Sequence, residues 1–384
     1  MRKNFGLLIA ACNLIFVSSL FAVDVGMTLE QNGEYPGSDG GAAFDYTGIA
    51  VPRISGLIGD NGDFYISAGF NYQNNPWGFV PELLRTEINW SSGGVELTAG
   101  RMAYDDPLGY VASGLFDGAR VTFNTGAGSF SAGAWYTGFL YKKRANIEMT
   151  DGEYESNNAA LNYGDFAQTY FAPRRVLAAA EWEHKGLWER AIARLSLLGQ
   201  FDLTEEKLNS QYLAGKITIP SGVFSFNLGG CFELIEANNK TGSGFALEAD
   251  AELRTAVHYL SLGAKYSSGG NGKLSAFLPL TADAQGRIFE AKLSGLAVFS
   301  LDYTVRLHET FSVGLYPSYF MLTGSADDGK RMLGGEIYAE LYWSPMPDIG
   351  VILGGGAYLP SLGNAAPDDD ARWRVKLNIV LALF

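Results

Sequence analysis

The sequence predicts an all-β protein, a transmembrane antiparallel up-and-down β-barrel of about 18 strands, with about 16 as the alternative count. Composition is the first observation, because 48 glycines, 20 tyrosines and 24 phenylalanines in 384 residues indicate Gly-rich turns between aromatic strands. The second is the alternation of apolar and polar residues over long segments, as from Leu333 to Trp343. The third is that, beyond the N-terminus, no uninterrupted apolar run approaches the roughly 20 residues of a spanning helix.

A secretory leader precedes the predicted barrel. A short basic start is followed by an almost wholly apolar run from Phe5 to Phe21, and a small residue suited to cleavage follows, with Ala22 and Ser19 as the two candidates. The sequence therefore predicts a signal peptide over 1–22 and a β-barrel over 23–384.

The strands of the first half show an apolar set at every second position, less regularly in 46–58 than in the others. Gly-rich turns such as Ser91 to Gly94 and Asn124 to Gly128 separate neighbouring strands. A long link over 142–173 then interrupts the rhythm. The predicted strands before and just after it are 23–31, 46–58, 64–72, 83–90, 95–104, 115–123, 129–141, 175–182 and 191–203.

The strands of the second half alternate in the same way. Glu248, Asp250 and Glu252, for example, lie opposite an apolar face, so the two faces of that strand meet two different solvents. A second long link spans 267–289. The predicted strands are 213–219, 223–235, 245–253, 260–266, 293–305, 311–321, 333–343, 349–359 and 373–383.

The links and the aromatic residues give the barrel a direction. Short turns fall at one end and the longer loops at the other, which is typical of bacterial outer-membrane barrels with short periplasmic turns. An even strand count then places both chain ends on the short-turn side. Two aromatic belts are predicted near the strand ends: Trp90, Trp182, Trp188, Tyr303 and Trp343 on the turn side, and Tyr72, Tyr141, Tyr266, Tyr319 and Trp373 on the loop side.

Composition and motifs argue against several functional classes. A net charge of −13 argues against a nucleic-acid partner, because the protein and the phosphate backbone would repel each other. Cys231 is the single cysteine after the leader, so no internal disulfide is expected. The three histidines, His184, His258 and His308, lie at separate predicted turns, and no closely spaced His/Cys pattern or phosphate-binding loop stands out. The sequence therefore predicts a protein that is not an enzyme and needs no cofactor and no metal.

A segment pattern adds a resemblance to a family. Gly100-Arg-Met-Ala-Tyr-Asp-Asp106 followed by Gly114-Leu-Phe-Asp-Gly118 is similar to the strand–loop–strand region of substrate-selective bacterial outer-membrane porins. The resemblance implies a channel in the outer membrane of a diderm bacterium, in contact with membrane lipid, for passive diffusion of small polar solutes. It also implies that the link 104–115 folds inward as a constriction loop. Whether the barrel forms a homo-oligomer stays open.

The C-terminal residue fits this family in one respect and departs from it in another. A terminal aromatic such as Phe384 implies recognition by the barrel-assembly machinery. In the family, however, that residue shares its face with the apolar residues, whereas Phe384 is in phase with Asn378 and Lys376. A bulge between Lys376 and Phe384 would restore the phase.

Charged residues on the inner faces would set the selectivity of such a channel. The predicted constriction residues are Arg85, Arg101, Asp105, Asp106, Asp117 and Arg120. The predicted lumen charges are Glu181, Arg194, Lys216, Glu248, Asp250, Glu252, Lys265, Lys292, Asp302, Arg306, Glu336, Glu340, Arg374 and Lys376. The alternative is that these residues neutralise one another as ion pairs across neighbouring strands, as Glu181 with Arg194 or Asp250 with Lys265.

Three other interpretations remain open at this point. A soluble β-sandwich would bury its apolar faces against each other. A surface adhesin or binding protein would use the long outer loops 142–173 and 267–289, the first of which is rich in tyrosine. A transporter of hydrophobic solutes would need an N-terminal plug, for which 23–45 is short and begins like a strand.

Overall fold

The structure is a computed structural model that describes residues 23–38, 41–74, 77–204, 207–237, 240–270, 273–324 and 329–383. The predicted signal peptide, 1–22, and Phe384 lie outside the described residues.

The chain forms a closed antiparallel barrel of 18 strands, which confirms the predicted fold class and strand count. The first nine strands are β1 (Val23–Ser38), β2 (Asp45–Ile58), β3 (Gly62–Asn74), β4 (Trp77–Ser92), β5 (Val95–Asp105), β6 (Ser113–Thr125), β7 (Gly128–Tyr136), β8 (Arg175–Leu187) and β9 (Ala191–Asp202). The others are β10 (Leu208–Ser221), β11 (Phe224–Ala237), β12 (Lys240–Arg254), β13 (His258–Ser267), β14 (Leu296–His308), β15 (Phe311–Leu322), β16 (Met332–Met346), β17 (Ile349–Leu359) and β18 (Arg372–Leu383).

The ring closes where the first strand meets the last. Each strand pairs with its neighbours in sequence, and β1 pairs with both β2 and β18. Met27 lies opposite Leu383, so both described chain ends are on the side of the short turns, as the even strand count predicts. A two-residue extension, Gly41–Ala42, pairs with the loop-side end of β1.

The two faces of each strand have different surroundings. On β18, Val375, Leu377 and Ile379 are exposed on the outside, whereas Arg374 and Lys376 alternate with them on the inside. A continuous exposed apolar surface of this kind is rare on a protein that sits in water and is what lipid contact requires. The closed ring also leaves few unpaired backbone groups in that band.

The structure corrects three details of the sequence interpretation. The strand predicted over 129–141 ends at Tyr136, and Tyr141 packs inside a loop instead of joining the aromatic belt. The strand predicted from Leu293 begins at Leu296. The pairing of β18 with β1 runs in one register from Arg372 to Leu383, so the described part of this strand has no bulge that would restore the phase of the terminal residue.

Helices are confined to the loops. The link 137–174, called the wall loop below, contains α1 (Lys142–Ala145), α2 (Asp151–Asn158) and α3 (Phe166–Thr169). Thr150 caps α2 in a capping box with Glu153. Within the described ranges, the chain contains no helix of the length and apolar character needed to cross a membrane.

The main apolar core lies inside the barrel, against the inner faces of β5 to β12. Three loops fill this half of the lumen: the inner loop (106–112), the wall loop and the crossing loop (268–295). Val111 of the inner loop, Ile147 of the wall loop and Leu280 of the crossing loop belong to one buried cluster. The position of this core places the loops where a solute would have to pass.

Candidate functional site: a lumen narrowed by three loops

A single buried carboxylate organises the inner loop. Asp106 is 5% exposed and accepts hydrogen bonds from the backbone N–H groups of Leu108, Val111 and Ala112 at 2.8, 2.9 and 2.9 Å. Burial raises the pKa of the Asp106 carboxyl, and these backbone hydrogen bonds oppose the shift. Asp106 therefore holds the shape of the loop, and the prediction that it lines the pore is wrong because its carboxylate is enclosed.

The inner loop reaches the far side of the barrel. Leu108 packs on Gly229 of β11, where a Cβ atom would clash with it. The Tyr110 ring lies 5.1 Å from the Nζ atom of Lys265 on β13. The loop starts from β5, so these contacts require it to fold inward, as the resemblance implied.

The crossing loop is fixed first to the strands β10 and β11. The backbone N–H of Leu278 donates to the Glu233 carboxylate at 2.7 Å, and the Tyr212 hydroxyl donates to the Leu278 carbonyl at 2.8 Å. Tyr212 and Glu233 are both buried. These two contacts anchor the first half of the loop.

The second half of the crossing loop is fixed to strands β16 and β18. Glu336 of β16, 4% exposed, accepts from the backbone N–H groups of Arg287, Ile288 and Phe289 at 2.8, 3.0 and 3.0 Å. Arg374 of β18 donates to the Arg287 carbonyl at 2.6 Å. Since β10 and β18 face each other across the ring, the loop spans the lumen.

Arg287 projects from the crossing loop toward the inner wall. Its guanidinium lies 3.9 Å from the centre of the Tyr316 ring and 5.6 Å from that of Tyr338, and it forms an ion pair with Glu340 at 3.2 Å. Arg287 is therefore a cation at the narrowed level of the lumen. It was not among the predicted site residues, because it falls in a segment that the sequence places in an outer loop.

A polar cavity of about 500 Å³ remains below the inner loop. Its lining includes Asp105, Arg120, Glu181, Glu183 and Arg194. Arg120 pairs with Glu181 at 3.0 Å, and Arg194 pairs with Glu183 at 2.7 Å. The alternative pairing of Glu181 with Arg194 is wrong, because Glu181 lies opposite Ser196 in the register.

The second suggested ion pair is also wrong in its register. Asp250 lies opposite Gly263, and Lys265 lies opposite Glu248. Asp250 accepts a hydrogen bond from Asn227 at 2.6 Å instead. Glu248 forms an ion pair with Lys216 at 2.9 Å.

Arg101 and Asp117 do not line the lumen. They lie opposite each other, in phase with Leu97 on the outer face, and they form an ion pair at 2.7 Å. Arg101 is 5% exposed because the wall loop covers it, and its guanidinium donates to the carbonyl of Phe139 at 3.0 Å. This pair belongs to the wall of the barrel.

The other predicted residues are distributed over the inner wall and the loops. Lys292 lies in the crossing loop and not on a strand, and it pairs with Glu148 of the wall loop at 2.7 Å. Further pairs join Arg85 to Glu87 at 2.6 Å, Glu252 to Arg254 at 3.8 Å, and Arg374 to Glu34 at 2.8 Å and to Glu290 at 2.6 Å. Asp302 and Lys376 are half-buried, and Arg306 is exposed near the turn side.

Buried Arg175 is a further residue that the sequence did not single out. It is fully buried at the start of β8, and it pairs with Glu153 of α2 at 2.6 Å and with Asp202 at 2.7 Å. These contacts hold the wall loop against the strands.

Several solved structures of Pseudomonas aeruginosa outer-membrane porins share this fold. Pseudomonas aeruginosa OccK2 (OpdF) in complex with glucuronate has a TM-score of 0.64 and 14% identity, over 94% of this chain and 98% of that one. OpdK with vanillate, from the same species, has a TM-score of 0.62 and 12% identity, over 94% and 98% of the two chains. OccK3 (OpdO) from that species has a TM-score of 0.63 and 13% identity, over 94% and 96%.

The likeness at this level of identity shows the fold. No family profile matches the sequence, and no curated protein matches it.

Proposed function

We propose that the protein is a channel in the outer membrane of a diderm bacterium, and that it carries small polar solutes by passive diffusion without reaction chemistry. The observation that carries this proposal is the crossing loop, held to one side of the lumen by Glu233 of β11 and to the other by Arg374 of β18. A loop built into the lumen narrows a passage, whereas an adhesin would present its long loops outward.

The charges around the passage support a preference among polar solutes. Arg120 and Glu181 line the cavity below the inner loop, and Arg287 lies at the crossing loop. The neighbours OccK2 and OpdK were solved with glucuronate and vanillate, which are small polar carboxylates. We infer the same size class for this chain, with Arg287 as a cation that a carboxylate meets on its way.

Single-channel recording in a planar lipid bilayer tests the proposal. The purified, refolded barrel should give discrete open-channel steps, and the same sample after heat denaturation serves as the control. A folded barrel that inserts and never conducts would falsify the channel and favour the surface-binding interpretation. Neutral and anionic sugars of similar size, added in turn, then report the preference by the extent to which each reduces the current.

A further inference from the structure

The barrel wall is incomplete between β4 and β5. The two strands pair only from Thr86 opposite Arg101 to Ser92 opposite Val95, although both continue farther on the loop side. Residues 77–85 of β4 are therefore paired along one edge, with β3. We call this interruption the wall gap.

Pro81 lies in the middle of the unpaired edge. Proline has no backbone N–H, so it removes one donor that would otherwise face lipid without a partner. Pro317 of β15 lies within a strand that keeps its pairing, so proline alone does not mark the gap.

Side chains of the wall loop take the place of the missing strand. The Tyr163 hydroxyl donates to the Phe79 carbonyl, and the Tyr170 hydroxyl donates to the Pro81 carbonyl at 2.9 Å. Burial raises the pKa of Tyr170 to about 12, so this phenol stays a donor at neutral pH. Unsatisfied carbonyls are costly in lipid, and these hydroxyls remove that cost.

Arg101 closes the lower end of the wall gap. Its guanidinium donates to the Leu83 carbonyl on β4 and to the Phe139 carbonyl on the wall loop, while Asp117 balances its charge. The three donors thus follow the edge at every second residue, as a partner strand would.

Aromatic packing fills the space above Arg101. The Tyr170 ring lies 4.4 Å from Phe166, 5.1 Å from Tyr141 and 5.2 Å from Phe171, centre to centre. We call these rings, with Tyr163, the aromatic seal. Two tyrosine hydrogen bonds join the seal to β4, and the neighbouring Arg144 of α1 pairs with Glu82 of β4 at 2.9 Å. Elsewhere a ladder of backbone hydrogen bonds holds the wall.

The seal separates two different environments. On the inside, a cavity of about 290 Å³ is lined by residues that include Asn71, Tyr141 and Arg144. On the outside, the Phe70 and Phe79 rings stack at 6.2 Å and are exposed. A polar cavity and an apolar outer surface therefore meet at the one place where side chains form the wall between β4 and β5.

We propose that the wall gap is a lateral portal, through which amphiphiles with a polar head and an apolar body pass between the lumen and the membrane. The head would stay in the inner cavity while the body leaves between the rings of the aromatic seal. The proposal rests on the proposed channel function and adds a second exit and a second class of solute to it. Passage through the wall gap does not require the N-terminal plug that a transporter of hydrophobic solutes would need.

A chemical link across the gap tests the portal. Leu83→Cys and Phe139→Cys, in a Cys231→Ala background, place thiols on exposed positions at the two sides of the gap. A short bismaleimide then bridges them after folding. Uptake of radiolabelled decanoate is measured in diderm cells without their own fatty-acid channel, with radiolabelled gluconate as the hydrophilic control.

The bridge should reduce decanoate uptake at least about fivefold and leave gluconate uptake within about twofold. Decanoate uptake that is equal with and without the bridge overturns the portal. If gluconate fails to enter even before bridging, the channel proposal itself fails, so the two failures are distinguishable.

A second test weakens the aromatic seal instead of linking the gap. Tyr163→Phe with Tyr170→Phe removes both hydroxyl donors and keeps the rings, and Tyr154→Phe changes an exposed tyrosine of α2 as the matched control. The double variant should raise decanoate uptake about twofold or more, while the control stays at the wild-type rate. An unchanged rate in a folded double variant contradicts the portal.

Discussion

Two segments inside the lumen, the inner loop and the far half of the crossing loop, both bind a buried carboxylate through three backbone N–H groups, but in different ways. Asp106 belongs to the inner loop and accepts from three N–H groups of that same loop. Glu336 projects from β16 and accepts from three N–H groups of the crossing loop. The conformation of the inner loop is thus fixed by contacts within the loop, whereas the position of the far half of the crossing loop is fixed by a contact to the barrel wall. Hydrogen bonds from backbone N–H groups to a carboxylate stabilise the conformation of one loop and the position of the other.

Glu336→Ala should have the largest effect, because it detaches a loop from its wall. Three backbone N–H groups, of which that of Ile288 is buried, lose their acceptor, at a cost of about 3 kcal/mol. The far half of the crossing loop should then move, and single-channel recording should show a higher and noisier conductance. Glu340→Ala is the matched control, since it removes the ion pair to the Arg287 side chain and a hydrogen bond from the Tyr342 hydroxyl but leaves the three contacts to the loop backbone. Equal traces for both variants would contradict an anchoring role for Glu336.

Asp106→Asn should affect stability more than conductance. The amide replaces one acceptor oxygen with a donor, which leaves part of the inner-loop N–H groups unpaired at a cost of about 1 to 3 kcal/mol. Leu108 and Tyr110 still pack against the opposite wall, so the passage should keep its width. Urea unfolding followed by tryptophan fluorescence measures the loss. A conductance change as large as that of Glu336→Ala would remove the distinction between the two loops.

The pH dependence of the inner loop follows from the same carboxylate. Burial raises the pKa of Asp106 in the folded protein, so ionisation is less favourable folded than unfolded. The wild type should therefore lose stability relative to Asp106→Asn as the pH rises from the ordinary aspartate pKa, about 3.9, through the raised value. Unfolding free energies of both proteins between acid and neutral pH test this sign. If the unfolding free energy of the wild type rises relative to that of the variant over this pH range, the effect of the backbone hydrogen bonds on the Asp106 pKa is larger than that of burial.

Arg120→Gln should give the smallest effect, a shift of ion selectivity toward cations. Arg120 lines the polar cavity below the inner loop, and its removal leaves Glu181 without its ion-pair partner there. The reversal potential in a salt gradient measures the shift. Arg254→Gln, at an exposed position near the turn side, is the control and should leave it unchanged. Identical reversal potentials for the two variants would exclude Arg120 from the selective part of the lumen.

Alternation predicts the barrel well because each strand separates two solvents, and every predicted strand has its counterpart in the structure. Alternation does not determine register, since a shift of two residues keeps every side chain on its face. That is why Arg194 was matched with Glu181 when its partner is Glu183. Arg101 was placed by its motif, although its phase with Leu97 puts it on the outer face.

The sequence does not predict the role of a side chain whose partners are backbone groups far away along the chain. Glu336 was placed on the correct face, yet its partners lie in a loop 47 to 49 residues away. Arg287 carried no periodic signal because the crossing loop has no strand of its own. Pro81 in β4 fits an unpaired edge, but the sequence does not distinguish it from Pro317, which lies within a paired strand.

The crossing loop also carries its own charge, which lets an electric field act on it. A potential of 100 mV does about 2.3 kcal/mol of work on one elementary charge moved across the whole membrane. Arg287 would traverse only part of that distance, and its ion pair with Glu340 together with the hydrogen bonds to Glu336 resists the displacement. The loop should therefore stay in place under moderate voltage, and closure by voltage should appear at lower thresholds once Glu336 is removed.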